Sequence, residues 1–292
     1  MPSMEPTMYV ISGLHGGGAE RLLTNIVLRQ AARKDKILVV TLLPGGVFRQ
    51  TLEDAGVEVI DLGMRHDGHA PIGALRLAAL IRRRRPAVVH AWMHHAALLA
   101  FAALVLAGRR KSARLFWGLF CSDLGAVPWQ FRIVLALTRL ASRHVEAVIY
   151  NAPEAREFHR RIGYRERRSV VISNWVDPEI FRHDAGERGV LRTELGIDAE
   201  SVVVAIVARV DPEKDWSGML EAVRGLPGVV TVAVGKGTEQ LAPQPGLVAL
   251  GWRDDVVRIL SAADIFLLGS SWGEGASLAV SEAMSCGLPC IV

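Results

Sequence analysis

The chain has 292 residues, half of them apolar, and it carries 34 Lys and Arg against 30 Asp and Glu. A chain of this length and composition can bury substantial cores and accommodates about two domains. Its three cysteines are an odd number without paired spacing, which excludes a disulfide scaffold. Cys286 and Cys290 are four residues apart, but no histidine or further cysteine follows them to complete a zinc set. We therefore expect buried thiols in a reducing cytosol and no metal site.

Apolar strands alternate with helical segments along the whole chain, without an internal repeat. The predicted strands cover residues 8–12, 37–42, 57–60, 87–91, 114–117, 147–150 and 170–172, and then 202–208, 229–234, 247–250, 265–268 and 288–292. Between the two sets the periodicity is lost, and Pro178 and Gly186 occur there. This rhythm predicts an α/β protein with parallel sheets. We place one domain at 1–172, a hinge at 173–186 and a second domain at 187–292.

One segment is apolar enough to be weighed as a membrane span. Residues 96–107 are continuously apolar, but this run is too short, because a span needs about twenty residues. A buried strand at 87–91 that passes through a short loop into a core helix explains the pattern better. The amino terminus has neither a basic region nor a long apolar run, so we expect no signal peptide and a cytoplasmic protein.

The two halves of the chain differ in charge. Residues 1–186 carry 26 Lys and Arg against 16 Asp and Glu, whereas residues 187–292 carry 8 against 14. The basic excess of the first half predicts an anionic partner. An anionic membrane surface or a lipid-linked pyrophosphate acceptor would suit it, with the protein peripheral on the inner face of the plasma membrane.

The segment 129–143 leaves two interpretations open. It mixes apolar side chains with the arginines Arg132, Arg139 and Arg143. An interfacial helix on a membrane would have this composition. A core helix packed inside the first domain fits the same pattern equally well.

Nucleic acid is the other anionic candidate, but no helix-turn-helix, zinc-finger, aromatic ribonucleoprotein or GxxG-type motif accompanies the basic residues. The sequence also lacks two common nucleotide-binding motifs, the Walker loop and the dinucleotide-binding fingerprint. Val230 stands where a Walker loop ending in Gly235 would need its first glycine, and Gln240 stands where a dinucleotide fingerprint needs its third. We expect no nucleic-acid partner.

Two glutamates lie on either side of a glycine-rich turn near the carboxyl end. The predicted strand 265–268 leads through this turn into a helix, whose first N–H groups and dipole favour a diphosphate. Glu274 precedes the helix and Glu282 lies within it, so the two carboxylates can accept hydrogen bonds from different hydroxyls of one sugar nucleotide. A capped amphipathic helix with solvated acids is the alternative interpretation.

Two cations follow the first strand of the second half. Arg209 and Lys214 lie at the carboxyl end of the predicted strand 202–208, where open α/β sheets bind ligands. Their spacing lets both side chains converge on one diphosphate, with charge-assisted hydrogen bonds. A surface pair balanced by Asp211, Glu213 and Asp215 is the alternative.

Four ordered segments resemble the family-4-like retaining glycosyltransferases. Residues 270–289 resemble their E-x7-E motif, 13–21 their glycine loop, 171–181 their interdomain "PNGVD…F" stretch and 207–215 their "GR…KG" segment. Two departures are Trp175, where that family usually has glycine, and the end of the chain at Val292. The resemblance implies the GT-B fold, with two Rossmann-like parallel-sheet domains facing a cleft. The second domain is expected to be incomplete, as in a carboxyl-terminally truncated member.

The resemblance also assigns roles to residues. Glu282 would bind the ribose and Glu274 the transferred sugar, and Arg209 and Lys214 would complete the catalytic set with His95. His94 is a weaker choice than His95, and neither need have a role. Further donor contacts would come from Arg253 near the nucleobase, from the backbone of Ala276, Ser277 and Leu278, and across the cleft from Gly16, Gly17 and Gly18.

The mechanism that the resemblance implies is transfer with retention of configuration, with no metal and no cofactor. The acceptor hydroxyl would approach the face that the diphosphate leaves, while cations stabilise the leaving group. We therefore expect an enzyme that moves a hexose from a nucleotide sugar, with UDP as the expected nucleotide, to a polysaccharide or lipid-linked acceptor of the cell envelope. A nucleotide-sugar epimerase of the same fold and a truncated, non-catalytic sugar-nucleotide-binding protein remain the alternatives.

Overall fold

The computed structural model describes residues 6–64 and 70–292. Its contacts divide the chain into two compact units, Met1–Ser173 and Asn174–Val292. The division falls where the predicted hinge begins, and the length of that hinge stays a prediction.

The first unit alternates strands with helices throughout its described residues. The strands are β1 (Thr7–Ile11), β2 (Ile37–Thr41), β3 (Glu58–Asp61), β4 (Val88–Trp92), β5 (Arg114–Gly118), β6 (Ala147–Tyr150) and β7 (Ser169–Val171). The helices are α1 (Gly18–Ala32), α2 (Phe48–Asp54), α3 (Ala70–Arg84), α4 (Met93–Leu106), α5 (Trp129–Ser142) and α6 (Pro153–Arg161).

These strands form one parallel sheet in the order β3-β2-β1-β4-β5-β6-β7. Met8 of β1 lies opposite Leu38 of β2 on one side and Val89 of β4 on the other. Central strands such as β2 are apolar at successive positions because helices cover both faces of a parallel sheet. The strand order reverses between β1 and β4, and open α/β sheets bind ligands at the carboxyl edge of such a reversal.

The second unit repeats this architecture on a smaller scale. Its strands are β8 (Val202–Val207), β9 (Val229–Val234), β10 (Leu247–Ala249), β11 (Ile265–Leu267) and β12 (Cys290–Ile291), and its helices are α7 (Ala185–Glu194), α8 (Trp216–Val223), α9 (Val256–Ala262) and α10 (Leu278–Ser285). The parallel sheet has the order β10-β9-β8-β11-β12. The order reverses between β8 and β11, so the loops after these two strands define the ligand-binding edge.

The predicted α/β class and parallel sheets are confirmed, and every predicted strand agrees with the structure to within two residues at each end. The loop predicted after the strand at 87–91 is wrong, because α4 begins directly after β4. Met93 makes this possible with a left-handed backbone, at φ 67°. His90 therefore lies inside β4, while His94 and His95 lie in the first turn of α4.

Helix α5 has one buried face and one exposed apolar face. Thr138, Ala141 and Ser142 are buried, and Thr138 Oγ1 lies 2.5 Å from the Tyr164 hydroxyl. The opposite face presents an apolar stripe of exposed side chains, Trp129, Ile133, Leu137 and Leu140. The core-helix interpretation thus holds for one face of the helix, and the interfacial interpretation stays a prediction for the exposed apolar face. Among the described helices, none combines the length and the hydropathy that crossing a bilayer requires.

Candidate functional site

The loop after β8 is organised by short hydrogen bonds around Arg209. Asp211 caps a 3-10 turn at Pro212–Lys214 by accepting a bond from the Glu213 N–H at 3.2 Å. The Arg209 guanidinium donates to Asp211 Oδ2 at 3.1 Å and to Glu213 Oε1 at 2.6 Å. Burial raises the pKa of Asp211, but hydrogen bonds from Glu213 and Arg209 and the charges of Arg209 and Lys214 hold it below its ordinary value.

The loops after β8 and β11 meet through Lys214. Its Nζ donates to Glu274 Oε1 and lies 3.4 Å from Glu213 Oε1. Ser270 Oγ donates to the same Glu274 oxygen at 3.0 Å, and the Ser271 N–H donates to the Glu213 carbonyl at 2.9 Å. We call Arg209, Glu213, Lys214, Ser270 and Glu274 the lysine cluster. It lies at the carboxyl edge between β8 and β11, where the strand order reverses.

The lysine cluster combines two cations with two carboxylates in a partly covered position. The Lys214 side chain is 14% exposed and that of Glu274 is 30% exposed, so the ammonium is directed by its partners rather than free in water. The surface-pair alternative describes Arg209, which bonds Asp211 and Glu213. It describes Lys214 only in part, because Lys214 Nζ lies 3.4 Å from Glu213 Oε1 but also pairs with Glu274 on a different strand-end loop. Pairing with Lys214 fixes the position of the Glu274 carboxylate, and carboxylate oxygens can accept hydrogen bonds from hydroxyl donors.

Helix α10 begins immediately after this cluster. Ser277 is its N-cap residue, and no capping bond from the Ser277 side chain occurs among the described contacts. The preceding Ala276 is held in place because its carbonyl accepts a bond from Asn174 Nδ2 at 2.5 Å. The first N–H groups of α10, from Leu278 onward, therefore present the positive end of the helix dipole beside the lysine cluster.

Glu282 lies one turn further along α10 and is 3% exposed. Burial, together with the neighbouring charge of Glu282, raises the pKa of the Cys286 thiol to about 11. A carboxylate buried to this extent needs partners, since a charge is costly to remove from water. The predicted ribose role requires the ligand to reach a covered group within the first two turns of the helix.

Arg253 pairs with a carboxylate of its own loop. It lies in the loop between β10 and α9, and its described hydrogen bonds run to Asp255, with Nε donating to Oδ1 at 2.7 Å. The same loop is tied to the loop after β9, because the Gly235 N–H donates to the Gly251 carbonyl at 2.8 Å. A nucleobase role for Arg253 stays a prediction.

Sequence reasoning missed the part played by Gly235. Its backbone has φ 139°, and an added Cβ would lie 2.0 Å from the Ala208 carbonyl oxygen. Only glycine can occupy this position, so Gly235 lets the loop after β9 close against the end of β8. Gly235 and Gly237 form a glycine pair at the end of β9, but this pair fits neither the Walker motif nor the dinucleotide fingerprint.

In the first unit, the glycine loop follows β1 and leads into α1. Gly16 has φ 107°, Gly17 is the N-cap residue and Gly18 is the first helical residue. The Gly17 N–H donates to Glu20 Oε2 at 2.7 Å, so a side chain of the same helix already occupies this donor. The predicted role of Gly16, Gly17 and Gly18 toward a diphosphate stays a prediction.

The predicted histidines lie at the neighbouring strand end, after β4. His95 is exposed, and its ring centroid lies 5.0 Å from that of Phe131. Partial burial lowers the pKa of His95. His94 is only 2% exposed and stacks on His159, with the two ring centroids 5.2 Å apart. The geometry therefore favours His95 over His94 as a residue that an external ligand could reach.

Two family models cover nearly all of the chain. The model of Glycosyltransferase Family 4 matches residues 16–180, more than half of the chain, and that of Glycosyl transferases group 1 matches residues 187–292.

Curated relatives are glycosyltransferases. A UDP-Gal:alpha-D-GlcNAc-diphosphoundecaprenol alpha-1,3-galactosyltransferase of Escherichia coli is 36% identical over 138 residues, which cover 42% of this chain and 35% of that protein. A D-inositol 3-phosphate glycosyltransferase of Mycobacterium marinum is 35% identical over 137 residues, which cover 41% of this chain and 29% of that protein. The lipopolysaccharide core biosynthesis glycosyltransferase LpsE of Rhizobium meliloti is 27% identical over 266 residues, covering 87% and 69%. The matched part of this chain thus spans about a third of the length of the first two.

Solved structures share the fold. HepE of Anabaena, crystallised with UDP and glucose, has a TM-score of 0.82 at 22% identity, covering 98% of this chain and 80% of that one. WaaG, a glycosyltransferase involved in lipopolysaccharide biosynthesis, has a TM-score of 0.73 at 15% identity, covering 97% and 80%. Together with the two parallel sheets, these likenesses define the GT-B class of α/β proteins. The chain belongs to glycosyltransferase family 4.

Proposed function

We propose that this protein transfers a hexose from a UDP sugar to a polysaccharide or lipid-linked acceptor of envelope glycan biosynthesis, with retention of configuration. The observation that carries the proposal is the lysine cluster, where Lys214 pairs with Glu274 beside the start of α10. A nucleoside diphosphate needs cations and N–H donors, and a sugar needs carboxylate acceptors. This strand-end edge offers all three.

The diphosphate would bind at the first turn of α10, with Lys214 and Arg209 beside it. Both cations are held by carboxylates in this structure, so they are oriented before the ligand arrives. Each charge-assisted hydrogen bond to the phosphate would contribute about 1.5–3 kcal/mol. Glu282 would then accept hydrogen bonds from the ribose and Glu274 from the transferred sugar.

Catalysis would rest on position and charge. As the bond from the sugar to the diphosphate breaks, negative charge grows on the leaving oxygen, and Lys214 and Arg209 would stabilise it. The acceptor hydroxyl would attack from the face that the diphosphate leaves, which retains the configuration. His95 would orient that hydroxyl, and the glycine loop at Gly16, Gly17 and Gly18 would let the donor approach the backbone.

The acceptor class is supported by the relatives. The names of the Escherichia coli and Rhizobium meliloti proteins refer to a diphosphoundecaprenol acceptor and to lipopolysaccharide core. The basic excess of residues 1–186 suits such an anionic acceptor. The apolar stripe of α5, flanked by Arg132, Arg139 and Arg143, suits a peripheral position on an anionic membrane.

A panel of nucleotide sugars in a thermal-shift assay tests the proposal. A UDP sugar should raise the Tm more than its GDP or ADP counterpart, since a ligand at 100 times its Kd adds about 2.7 kcal/mol of stability. The stabilising donor is then incubated alone and followed by NMR. An epimerase would convert the donor without an acceptor, whereas a transferase requires one. A panel in which no nucleotide sugar changes the Tm would overturn the proposal.

A further inference from the structure

Three metal-ligating side chains converge inside the first unit, whereas the lysine cluster belongs to the second unit. One ring nitrogen of His94, one ring nitrogen of His159 and the Cys121 Sγ all lie within 4.8 Å of one another. His94 is 2% exposed, Cys121 7% and His159 0%. The three side chains are therefore buried together, and their clustering is not that of polar groups on an exposed surface.

The fold brings the three side chains together from separate elements. His94 lies in the first turn of α4, Cys121 follows β5, and His159 lies within α6. Strands β4, β5 and β6 are consecutive in the sheet, so the segments that follow them emerge at one edge. The ligands are far apart in the chain, which is why the sequence prediction of no metal site considered only Cys286 and Cys290.

The separation of the two histidine nitrogens is compatible with a shared metal ion. Their Nε2 atoms lie 3.1 Å apart, close to the separation of about 3.3 Å that two nitrogens 2.0–2.1 Å from a tetrahedral ion would have. His159 Nδ1 lies 2.7 Å from the Ala155 carbonyl oxygen, so Nδ1 donates and the Nε2 lone pair points toward His94. A second nitrogen anchored to a carbonyl is how proteins commonly orient metal-bound histidines.

The surroundings suit a bound cation. The ring of Tyr164 packs against His159 at 4.9 Å between centroids, and that of Tyr150 at 5.2 Å. The Tyr150 hydroxyl donates to Glu166 Oε1 at 3.0 Å, which places a carboxylate in the next layer.

We propose that His94, Cys121 and His159 bind a zinc ion. The ion would link three parts of the first unit, namely helix α4, the segment that follows β5, and helix α6. Two imidazoles and a thiolate are ligands of intermediate softness, which favours zinc over magnesium or calcium. Three protein ligands leave one tetrahedral position for a small ligand. The thiolate cancels one of the two positive charges of the ion. The site would fix the start of α4, where His95 lies.

The competing state is a metal-free pair in which His94 Nε2–H donates to His159 Nε2. The two states differ in metal content, so spectroscopy on the full chain separates them. The protein is stripped with a chelator, dialysed and titrated with Co²⁺ as the probe. We expect about one equivalent to bind, with tetrahedral visible bands and a near-ultraviolet thiolate-to-cobalt band, and zinc should displace it.

Matched variants assign the ligands. Cys121→Ser should remove the thiolate-to-cobalt band and weaken binding at least tenfold, and His94→Gln should weaken it similarly. The double variant Cys286→Ser, Cys290→Ser should keep the wild-type spectrum, because neither cysteine belongs to the cluster. Circular dichroism establishes that each variant is folded.

The wild-type titration alone can overturn the proposal, even if a variant fails to fold. Wild-type protein that binds less than about a tenth of an equivalent of Co²⁺ or Zn²⁺ would contradict it. So would a charge-transfer band that persists in Cys121→Ser or disappears in the Cys286, Cys290 variant.

Discussion

Lys214 and Glu274 show how a single pair organises the site. Lys214 Nζ reaches Glu274 across two strand-end loops, and Ser270 donates to the same carboxylate at 3.0 Å. Glu274 and Glu282 are only eight positions apart in the chain, but they occupy different environments. The first is partly exposed within the lysine cluster, and the second is buried in α10.

These environments predict different losses of function. Glu282→Gln should weaken UDP binding about tenfold, because the amide is a poorer acceptor for the ribose hydroxyls. Glu274→Gln should change UDP affinity by less than about threefold and should lower the transfer rate at least tenfold. Calorimetry with UDP and a transfer assay on both variants measure this split. Unchanged UDP affinity in Glu282→Gln would remove the ribose assignment.

His90 predicts a pH dependence of stability in the first unit. Its Nε2 is buried without a hydrogen-bond partner among the described residues, and burial lowers its pKa from 6.5 to about 4. The folded state therefore binds the proton more weakly than the unfolded state. The free energy of unfolding should fall as the pH falls from 6.5 to 4, with His90 contributing about 2–3 kcal/mol.

The variant His90→Phe should remove that part of the acid sensitivity and keep the ring packing against Tyr9 and Trp92. Urea unfolding at a series of pH values measures the effect, with the exposed His183→Phe as the matched control. Parallel curves for wild type and His90→Phe would show that His90 is not responsible.

At the scale of elements, Gly235 and the end of β8 form a contact that tolerates no side chain. Gly235→Ala should destabilise the second unit by about 3 kcal/mol or more, because φ 139° is strained for alanine and its Cβ would meet the Ala208 carbonyl. Gly196→Ala is the control, since Gly196 also has positive φ but its Cβ would meet no atom within 4 Å. Urea unfolding should show about 1 kcal/mol for the control. Equal losses would contradict the close-contact explanation.

Helix α5 predicts binding to anionic membranes. The protein should sediment with vesicles of phosphatidylglycerol and phosphatidylcholine at low salt, and half-molar salt should release it, since screening shortens the reach of charges. Changing Arg132, Arg139 and Arg143 to glutamate should weaken binding at least tenfold, because each arginine contributes about 1 kcal/mol near an anionic surface. Changing Arg156, Arg160 and Arg161 on α6 to glutamate is the matched control. A loss as large in the control would assign the binding to the general charge of the first unit.

The elements were predictable from sequence because their signals are local. Runs such as Val202–Val207 are apolar and β-branched over a strand length, and helices separate them at a regular interval. The start of α4 was not predictable in this way. The polar residues His94 and His95 read as a loop, and nothing local indicates that Met93 adopts φ 67°.

At the scale of the whole molecule, each unit carries a parallel sheet whose strand order reverses once. The candidate residues of each unit cluster at the carboxyl edge of that reversal, as the fold requires. The ordered motifs predicted that candidate residues would lie at this edge, and the chemistry assigned to them stays a prediction. They did not predict the roles of Ser270, Glu213 and Asn174, nor the convergence of His94, Cys121 and His159, because these contacts depend on how separate loops fold against one another.

The central claim is that the lysine cluster binds the diphosphate of a nucleotide donor. The most direct measurement is calorimetric titration of wild type and the double variant Arg209→Met, Lys214→Met with UDP and with uridine. We expect the double variant to lose about a hundredfold in affinity for UDP and to keep its affinity for uridine within about threefold. The control Arg33→Met, Lys36→Met, which removes two exposed cations of the first unit, should bind UDP like the wild type. Equal losses for UDP and uridine, or an unchanged UDP affinity, would contradict the account.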